Sequence, residues 1–365
     1  MFDRRLITHF DWIYLLLVLL VALTGVANLY SATSTWTSSI SLVYMKQLYW
    51  LGLGLAIVVL ICLFDYRHLE YLGFPAYIAT VVMLLAVLVV GKTSMGATRW
   101  ISLGGFNVQP SELMKVVIII ALARYFSEKG HLLGFSLKEL VPPGLILGIP
   151  ALLVMKQPDL GTAMLILFIG GTMGLFCGIR RSALVCLGIG GLMASAGGWF
   201  LLHDYQKKRI MTFLNPENDP LGAGYHIIQS KIAVGSGGLQ GLGFMRGTQS
   251  QLSFLPERHT DFAFSVFAEE WGLIGCLLLL ALYLLIVLWG LHIALRASDR
   301  FGMYLAFGVS AMLFWHILVN LGMVIGLLPV VGVPLPLFSY GGTSMVTTMT
   351  GIGLLLNVSM RRFMF

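Results

Sequence analysis

An all-α polytopic membrane fold, with about ten transmembrane helices and a long extracytoplasmic loop between the seventh and eighth, is predicted by three features of the sequence. The 365 residues are 58% hydrophobic and only 11% charged, too apolar for a chain that must coat itself for water. Apolar runs near the ~20-residue length that crosses a bilayer recur along almost all of it. The 23 Lys and Arg stand in small groups between those runs, without a basic stripe or interleaved aromatics. The formal charge of +7 therefore reads as topology and contact with anionic membrane lipids, not as nucleic-acid binding.

The first apolar run, 13–30, follows Arg4 and Arg5 as a signal peptide would, but it is long enough to span and reads as an uncleaved first helix. Runs at 44–64, 72–91, 112–126, 140–155, 160–178, 182–202, 263–290, 302–328 and 340–358 complete the set. Alternation from a cytoplasmic start gives the inner ends Arg67, Arg124, Lys129, Lys138, Arg180, Arg181, Arg296, Arg300, Arg361 and Arg362. The positive-inside rule then holds at every inner turn, with both termini cytoplasmic. The chain is one transmembrane domain, 1–365, whose outer loop is 203–262. Apolar and aromatic residues at 225–232 and 252–255, between Gly-rich turns, predict short amphipathic helices in that loop, on the membrane surface. Its basic residues Lys207, Lys208, Arg209, Lys231, Arg246 and Arg258 are available to an anion. Cys62, Cys177, Cys186 and Cys276 lie in apolar segments without CxxC spacing, so neither a disulfide framework nor a zinc site is indicated.

A charge within a spanning helix costs roughly 2.5–3.5 kcal/mol on insertion scales, so it persists mainly where it pairs, lines a cavity or reacts. Glu112 and Lys115, three apart on one helix face, form either a packing ion pair or the wall of a polar cavity. Asp159 caps the next helix, or has a catalytic or metal-binding role, or does both. His316, single and without ligand spacing, reads as bonded to a neighbouring helix, and Glu269 and Glu270 read as members of packing ion pairs. The densest constellation is 254–262, where Glu257, Arg258, His259, Thr260 and Asp261 crowd the return of the loop to the membrane. Asp261 there suits a general base, against the alternative that it or Thr260 caps the eighth helix. In 334–344, prolines and glycines enforce non-helical backbone that can offer N–H groups to an anion, with Ser339, Thr343 and Ser344 as candidate substrate contacts.

The Glu257 to Phe262 stretch, the run Pro336-Leu337-Phe338-Ser339-Tyr340-Gly341-Gly342-Thr343-Ser344 and Gln109-Pro110-Ser111-Glu112 together resemble the SEDS family of shape, elongation, division and sporulation proteins. The resemblance covers essentially the whole chain, and Arg258 and the compact length favour its rod-shape branch over its division branch. Ala263 stands where a larger apolar residue is expected, a minor departure. The resemblance implies a peptidoglycan glycosyltransferase that polymerises lipid II at the outer face of the cell inner membrane. It implies Asp261 as the base, and Glu112, Lys115 and Asp159 as cavity residues. Arg99, Lys156, Arg246 and Arg258 are added as candidates for the lipid diphosphate, whose leaving charge needs cationic help. A divalent cation, Mg²⁺ or Mn²⁺, is a candidate bridge between carboxylate and diphosphate, with Asp261, Asp159 and Glu112 as candidate ligands. A single displacement with inversion and no covalent intermediate is expected. The implied partners are a class B penicillin-binding protein and other elongation-complex proteins, with small residues of the eighth and ninth helices permitting close approach. The rival readings are a lipid II flippase, which needs access from both faces, and a non-catalytic scaffold, which leaves Asp261 without a task.

Overall fold

The computed structural model describes residues 8–33, 42–94, 97–103, 106–129, 134–201, 204–219, 222–252, 254–255 and 257–362. Arg4, Arg5, His203 and Pro256 lie outside the described residues. In chain order the helices are α1 (Trp12–Thr33), α2 (Val43–Leu63), α3 (His68–Val90), α4 (Pro110–Glu128), α5 (Leu137–Lys156), α6 (Leu160–Cys177) and α7 (Arg181–Leu201). There follow α8 (Asp204–Leu214), α9 (Ala223–Ser236), the single turn α10 (Thr248–Gln251), α11 (Ala263–Leu295), α12 (Arg300–Val324) and α13 (Gly342–Arg361). Long helices thus occupy each apolar run, and three shorter ones occupy the expected outer loop. Seven of them, α1, α2, α3, α5, α6, α11 and α12, are long and apolar enough to cross a membrane.

The bundle is arranged for lipid, with its polar residues inside. Large apolar side chains point outward, such as Val89 at 85% and Leu192 at 73% exposure, while Glu112, Lys115, Asp159, Glu269 and Glu270 are buried. Helices α4 and α13 are too polar to stand among the seven, and they are buried along most of their length. α4 packs against α3, α6 and α12, and α13 packs against α2. A helix in this central position is shielded by its neighbours, which is how a bilayer tolerates its charges.

One small sheet interrupts the helices. Strands β1 (Lys92–Ser94), β2 (Ala97–Leu103) and β3 (Phe106–Val108) pair antiparallel in that order between α3 and α4. The apolar runs place no element here, although Gly104-Gly105 between short runs of β-formers is a hairpin signal.

A second departure lies in α11, expected as one continuous span. Its backbone breaks at Gly272, where φ is +63° and ψ is −165°. The groups released there find partners in the Gly-rich stretch after α9. Leu242 and Gly243 N–H donate to the carbonyls of Glu269 and Glu270, both at 3.0 Å, and Leu273 N–H donates to Gly238 O at 2.9 Å. Such pairing lets a broken helix persist near membrane depth. A Cβ on Gly272 would sit 2.3 Å from Gly241 N, and left-handed backbone disfavours any L side chain. Gly272→Val should therefore lower the thermal midpoint in detergent sharply or prevent accumulation. Gly171→Ala, in α6 with nothing within 4 Å of the added carbon, should leave it unchanged or raise it.

Candidate active site

Four helices begin around one cleft. Gln109 precedes α4, Asp159 precedes α6, Asp261 stands two residues before α11, and Gly341 precedes α13; all four line a cavity of about 420 Å³. Pro110 occupies the first turn of α4, where its missing N–H costs nothing. Asp159 does cap α6, accepting from Thr162 N at 3.3 Å and Thr162 Oγ1 at 2.9 Å, and it lines the cleft as well. Capping the helix does not take it out of the cleft wall. Likewise, the 2.7 Å ion pair of Glu112 and Lys115 is itself part of that wall.

The Asp261 turn is fixed by its backbone. Glu257 O accepts from Thr260 N at 3.1 Å and from Phe262 N at 3.4 Å, while Thr260 Oγ1 donates to Glu257 Oε2 at 3.0 Å. Phe262, 2% exposed, anchors the turn in the core. Asn320 of α12 donates to Asp261 O at 2.9 Å and to Val333 O at 2.7 Å, tying the turn to the non-helical segment before α13. Tyr340 N donates to His259 O at 2.9 Å. The capping alternative for Asp261 and Thr260 is excluded, since α11 starts after Phe262 without a side-chain cap.

No donor among the described residues reaches the Asp261 carboxylate, which faces the cleft near Gly332. Burial pushes its pKa up to about 6; Glu257 and Asp159 add to the rise, and Arg99 and Arg209 oppose it. A carboxylate free of donors, surrounded by protein yet open to a cavity, is poised to take a proton near neutral pH. Arg209, on α8, is thereby the outer-loop base that the structure brings into electrostatic reach of the site. Arg99, on β2, donates to Pro158 O at 2.5 Å and sets its Nε 3.8 Å from Asp159 Oδ2. That Nε is buried without a hydrogen-bond partner among the described residues.

Of the expected site residues, Asp261, Glu112, Lys115, Asp159, Arg99, Thr343 and Ser344 line the cleft. Four others lie elsewhere. Lys156 is exposed at the end of α5, and Arg246 is exposed on the stretch that pairs with the break in α11. Arg258 is 2% exposed and is not among the residues of the cleft wall; burial lowers its pKa. Ser339 is used structurally, accepting from Leu335 N at 3.1 Å through Oγ and from Gln47 Nε2 at 3.0 Å through its carbonyl. Trp100, Thr162 and Tyr340 line the cleft without having been singled out. Trp100 was legible only through the missed hairpin.

Among the described residues no three His, Cys, Asp or Glu side chains gather closely enough to cage a metal. Mg²⁺ does not need such a cage, since it keeps waters and takes one or two carboxylates plus substrate oxygens. Asp261 and Asp159 both line the cleft, with Asp159 near enough for its charge to raise the pKa of Asp261, so two carboxylates are at hand for such a use. Glu112 fits less well, because Lys115 holds its Oε1.

The raised pKa of Asp261 has a consequence for stability. The folded form binds that proton more tightly than the unfolded chain, so stability is fullest below the ordinary carboxylate pKa and falls as pH rises to about 6. Asp261→Asn should therefore melt above the wild type at about pH 8, and the two should converge at about pH 4.

Comparison with known proteins places this geometry. Residues 11–363 match the FtsW/RodA/SpoVE family, described as cell cycle proteins. The peptidoglycan glycosyltransferase MrdB of Escherichia coli (strain K12) is 42% identical, with 98% of this chain and 96% of that protein covered. The peptidoglycan glycosyltransferase RodA of Treponema pallidum (strain Nichols) is 32% identical over 96% of this chain and 98% of its own length. Among solved structures, a chain of a peptidoglycan synthase complex that coordinates polymerization and crosslinking superimposes with a TM-score of 0.82. It is 34% identical and covers 98% of this chain and 99% of its own. The rod shape determining protein RodA of Thermus thermophilus gives 0.72 at 32% identity, covering 97% of this chain and 98% of its own.

Proposed function

Because the chain belongs to the FtsW/RodA/SpoVE family of cell cycle proteins, we propose that it is a peptidoglycan glycosyltransferase of the rod-shape branch, polymerising lipid II during cell elongation. The observation that carries this reading is the Asp261 carboxylate, without a donor among the described residues, on the wall of a cleft that also holds Arg99 and Lys115. Glycan polymerisation needs both parts. A base must take the proton from the acceptor sugar hydroxyl as it attacks the anomeric carbon, and cationic groups must receive the charge that builds on the departing lipid diphosphate.

Asp261 is the base, in a place where burial has already raised its proton affinity. Arg99 and Lys115 are the cations at the cleft, with Arg209 within electrostatic reach. Thr343 and Ser344, at the start of α13, offer backbone N–H groups and hydroxyls to an anionic oxygen. A divalent cation held by Asp261 and Asp159 would supply further charge neutralisation for the diphosphate. Attack opposite the leaving group gives a single displacement with inversion.

In this reading the chain crosses the inner membrane ten times, with both termini cytoplasmic, and the cleft opens to the outer face. Its partner is a class B penicillin-binding protein, in keeping with the synthase complex whose fold it shares.

Purified protein with that partner and Mg²⁺ should convert labelled lipid II into glycan ladders, and Asp261→Ala should reduce the rate by roughly 10²–10⁴-fold while folding and partner binding survive. Movement of lipid II between leaflets without polymer would overturn the reading. The rate should rise with pH along an acidic limb belonging to Asp261, at about 6 for the cation-free carboxylate and lower where bound Mg²⁺ favours its ionised form.

A further inference from the structure

Lys115 is 1% exposed and still lines the cleft, so what surrounds its ammonium decides what that charge can do. Two groups hold it. Glu112 Oε1, on the same helix, lies 2.7 Å away, and His316 Nε2, on α12, also lies 2.7 Å away. The other ring nitrogen of His316 is 2.7 Å from the carbonyl of Met312, one turn earlier in α12.

These distances select one form of the ring. A carbonyl only accepts, so Nδ1 carries the hydrogen and donates to Met312 O. The neutral ring then presents a lone pair at Nε2, which is what an ammonium hydrogen requires. The opposite tautomer would set two acceptors against each other at Met312 and two donors against each other at Lys115. A doubly protonated ring would place two cations 2.7 Å apart inside the bundle, where repulsion is weakly screened.

We propose that His316 is a positioning residue for Lys115, fixing the ammonium so that its remaining N–H is presented to an anionic oxygen of the lipid-linked diphosphate. This rests on the reading that the cleft takes such a donor. The chemical reason for a histidine is that its acceptor is neutral. Glu112 already balances the charge of Lys115, so a second carboxylate in that place would make the cluster net negative and repel a diphosphate, and an apolar residue would leave the ammonium to collapse onto Glu112. Imidazole anchors the ammonium without adding negative charge. His316 therefore acts on the substrate only through Lys115.

The test separates that action from simple packing. In the Asp261→Asn protein, which binds without turning over, the affinity for lipid II is measured with His316→Leu, Lys115→Met and the two together. Each single change should weaken binding about tenfold, and the pair should be no weaker than Lys115→Met alone, as expected of two groups acting as one. His316→Gln, whose amide oxygen restores a neutral acceptor, should recover most of the affinity. Independent, additive losses, or unchanged affinity in a folded His316→Leu protein, would overturn the assignment. On unsubstituted protein, ¹⁵N shifts of the imidazole should report hydrogen at Nδ1 and an accepting Nε2; hydrogen at Nε2 would overturn it even if the variants failed to fold. Wild-type protein that polymerises lipid II while the variants behave additively removes His316 alone. Wild-type protein that neither binds nor polymerises it removes the functional reading and this proposal together.

Discussion

The cleft depends on a constraint of the bilayer: backbone that leaves the helix at membrane depth must find every hydrogen bond inside the protein. The Asp261 turn and the segment before α13 both leave it, and side chains of neighbouring helices meet their carbonyls. Asn320 bridges the two segments, Gln47 of α2 holds Ser339, Asn28 of α1 donates to Ala263 O at 2.9 Å, and Tyr283 of α11 donates to Pro336 O at 2.7 Å. Each amide or hydroxyl would be costly alone in an apolar interior, and each is balanced by a carbonyl that would be equally costly. The approach is close as well. A Cβ on Gly25 of α1 would lie 2.6 Å from the Cα of Phe338, so α1 and the irregular segment touch backbone to backbone. Position of the reactive carboxylate follows from this lattice of bonds to main chain, which leaves its own oxygens uncommitted.

Within that frame the acids divide their tasks by how many donors each receives. Asp159 accepts from Thr162 twice and from Gln109 at 3.3 Å, and Glu112 accepts from Lys115. Asp261 accepts from none among the described residues. Donors hold a carboxylate in one place, so the acids that fix the structure are the well-bonded ones. Glu269 belongs with them, accepting from Gln249 N at 2.8 Å and Thr248 Oγ1 at 3.1 Å, and Glu270 accepts from the Ser31 hydroxyl. The sequence reads that pair as packing ion pairs, whereas these partners are neutral, a backbone N–H and two hydroxyls.

Hydrophobicity made the bundle legible, because a spanning helix must be apolar over its whole length and the helices duly occupy the apolar runs. The polar residues that a bilayer penalises were legible for the same reason, and Glu112, Lys115, Asp159 and Asp261 meet at one cleft. Charge outside the spans carried no such constraint. Arg246 and Arg258 looked equivalent to Arg209 as loop cations, yet only the fold of the loop decides which approaches the site. The hairpin at 92–108 was obscured because its strands are short and follow α3 without a break in composition. The fracture at Gly272 was hidden because its cause is the distant Gly238 to Gly243 stretch, and a glycine in a span has many innocent explanations.

What unites the cleft with the topology is direction. α4, α6, α11 and α13 all begin there, and a helix start carries unpaired N–H groups and the positive end of the backbone dipole. In an alternating bundle only every second helix starts on a given face, so the convergence of four such starts makes that face intrinsically attractive to anions. Acids stand at three of the starts, Glu112 in α4, Asp159 before α6 and Asp261 before α11, each beside dipole ends that lessen the cost of its charge. The same field that makes these carboxylates tolerable would favour a diphosphate entering among them, and the paired state of Glu112 and the capping state of Asp159 leave Asp261 as the acid for the proton-accepting task proposed above. In that proposed reaction, substrate charge and base are accommodated by one property of the fold, the common origin of four helices on a single face.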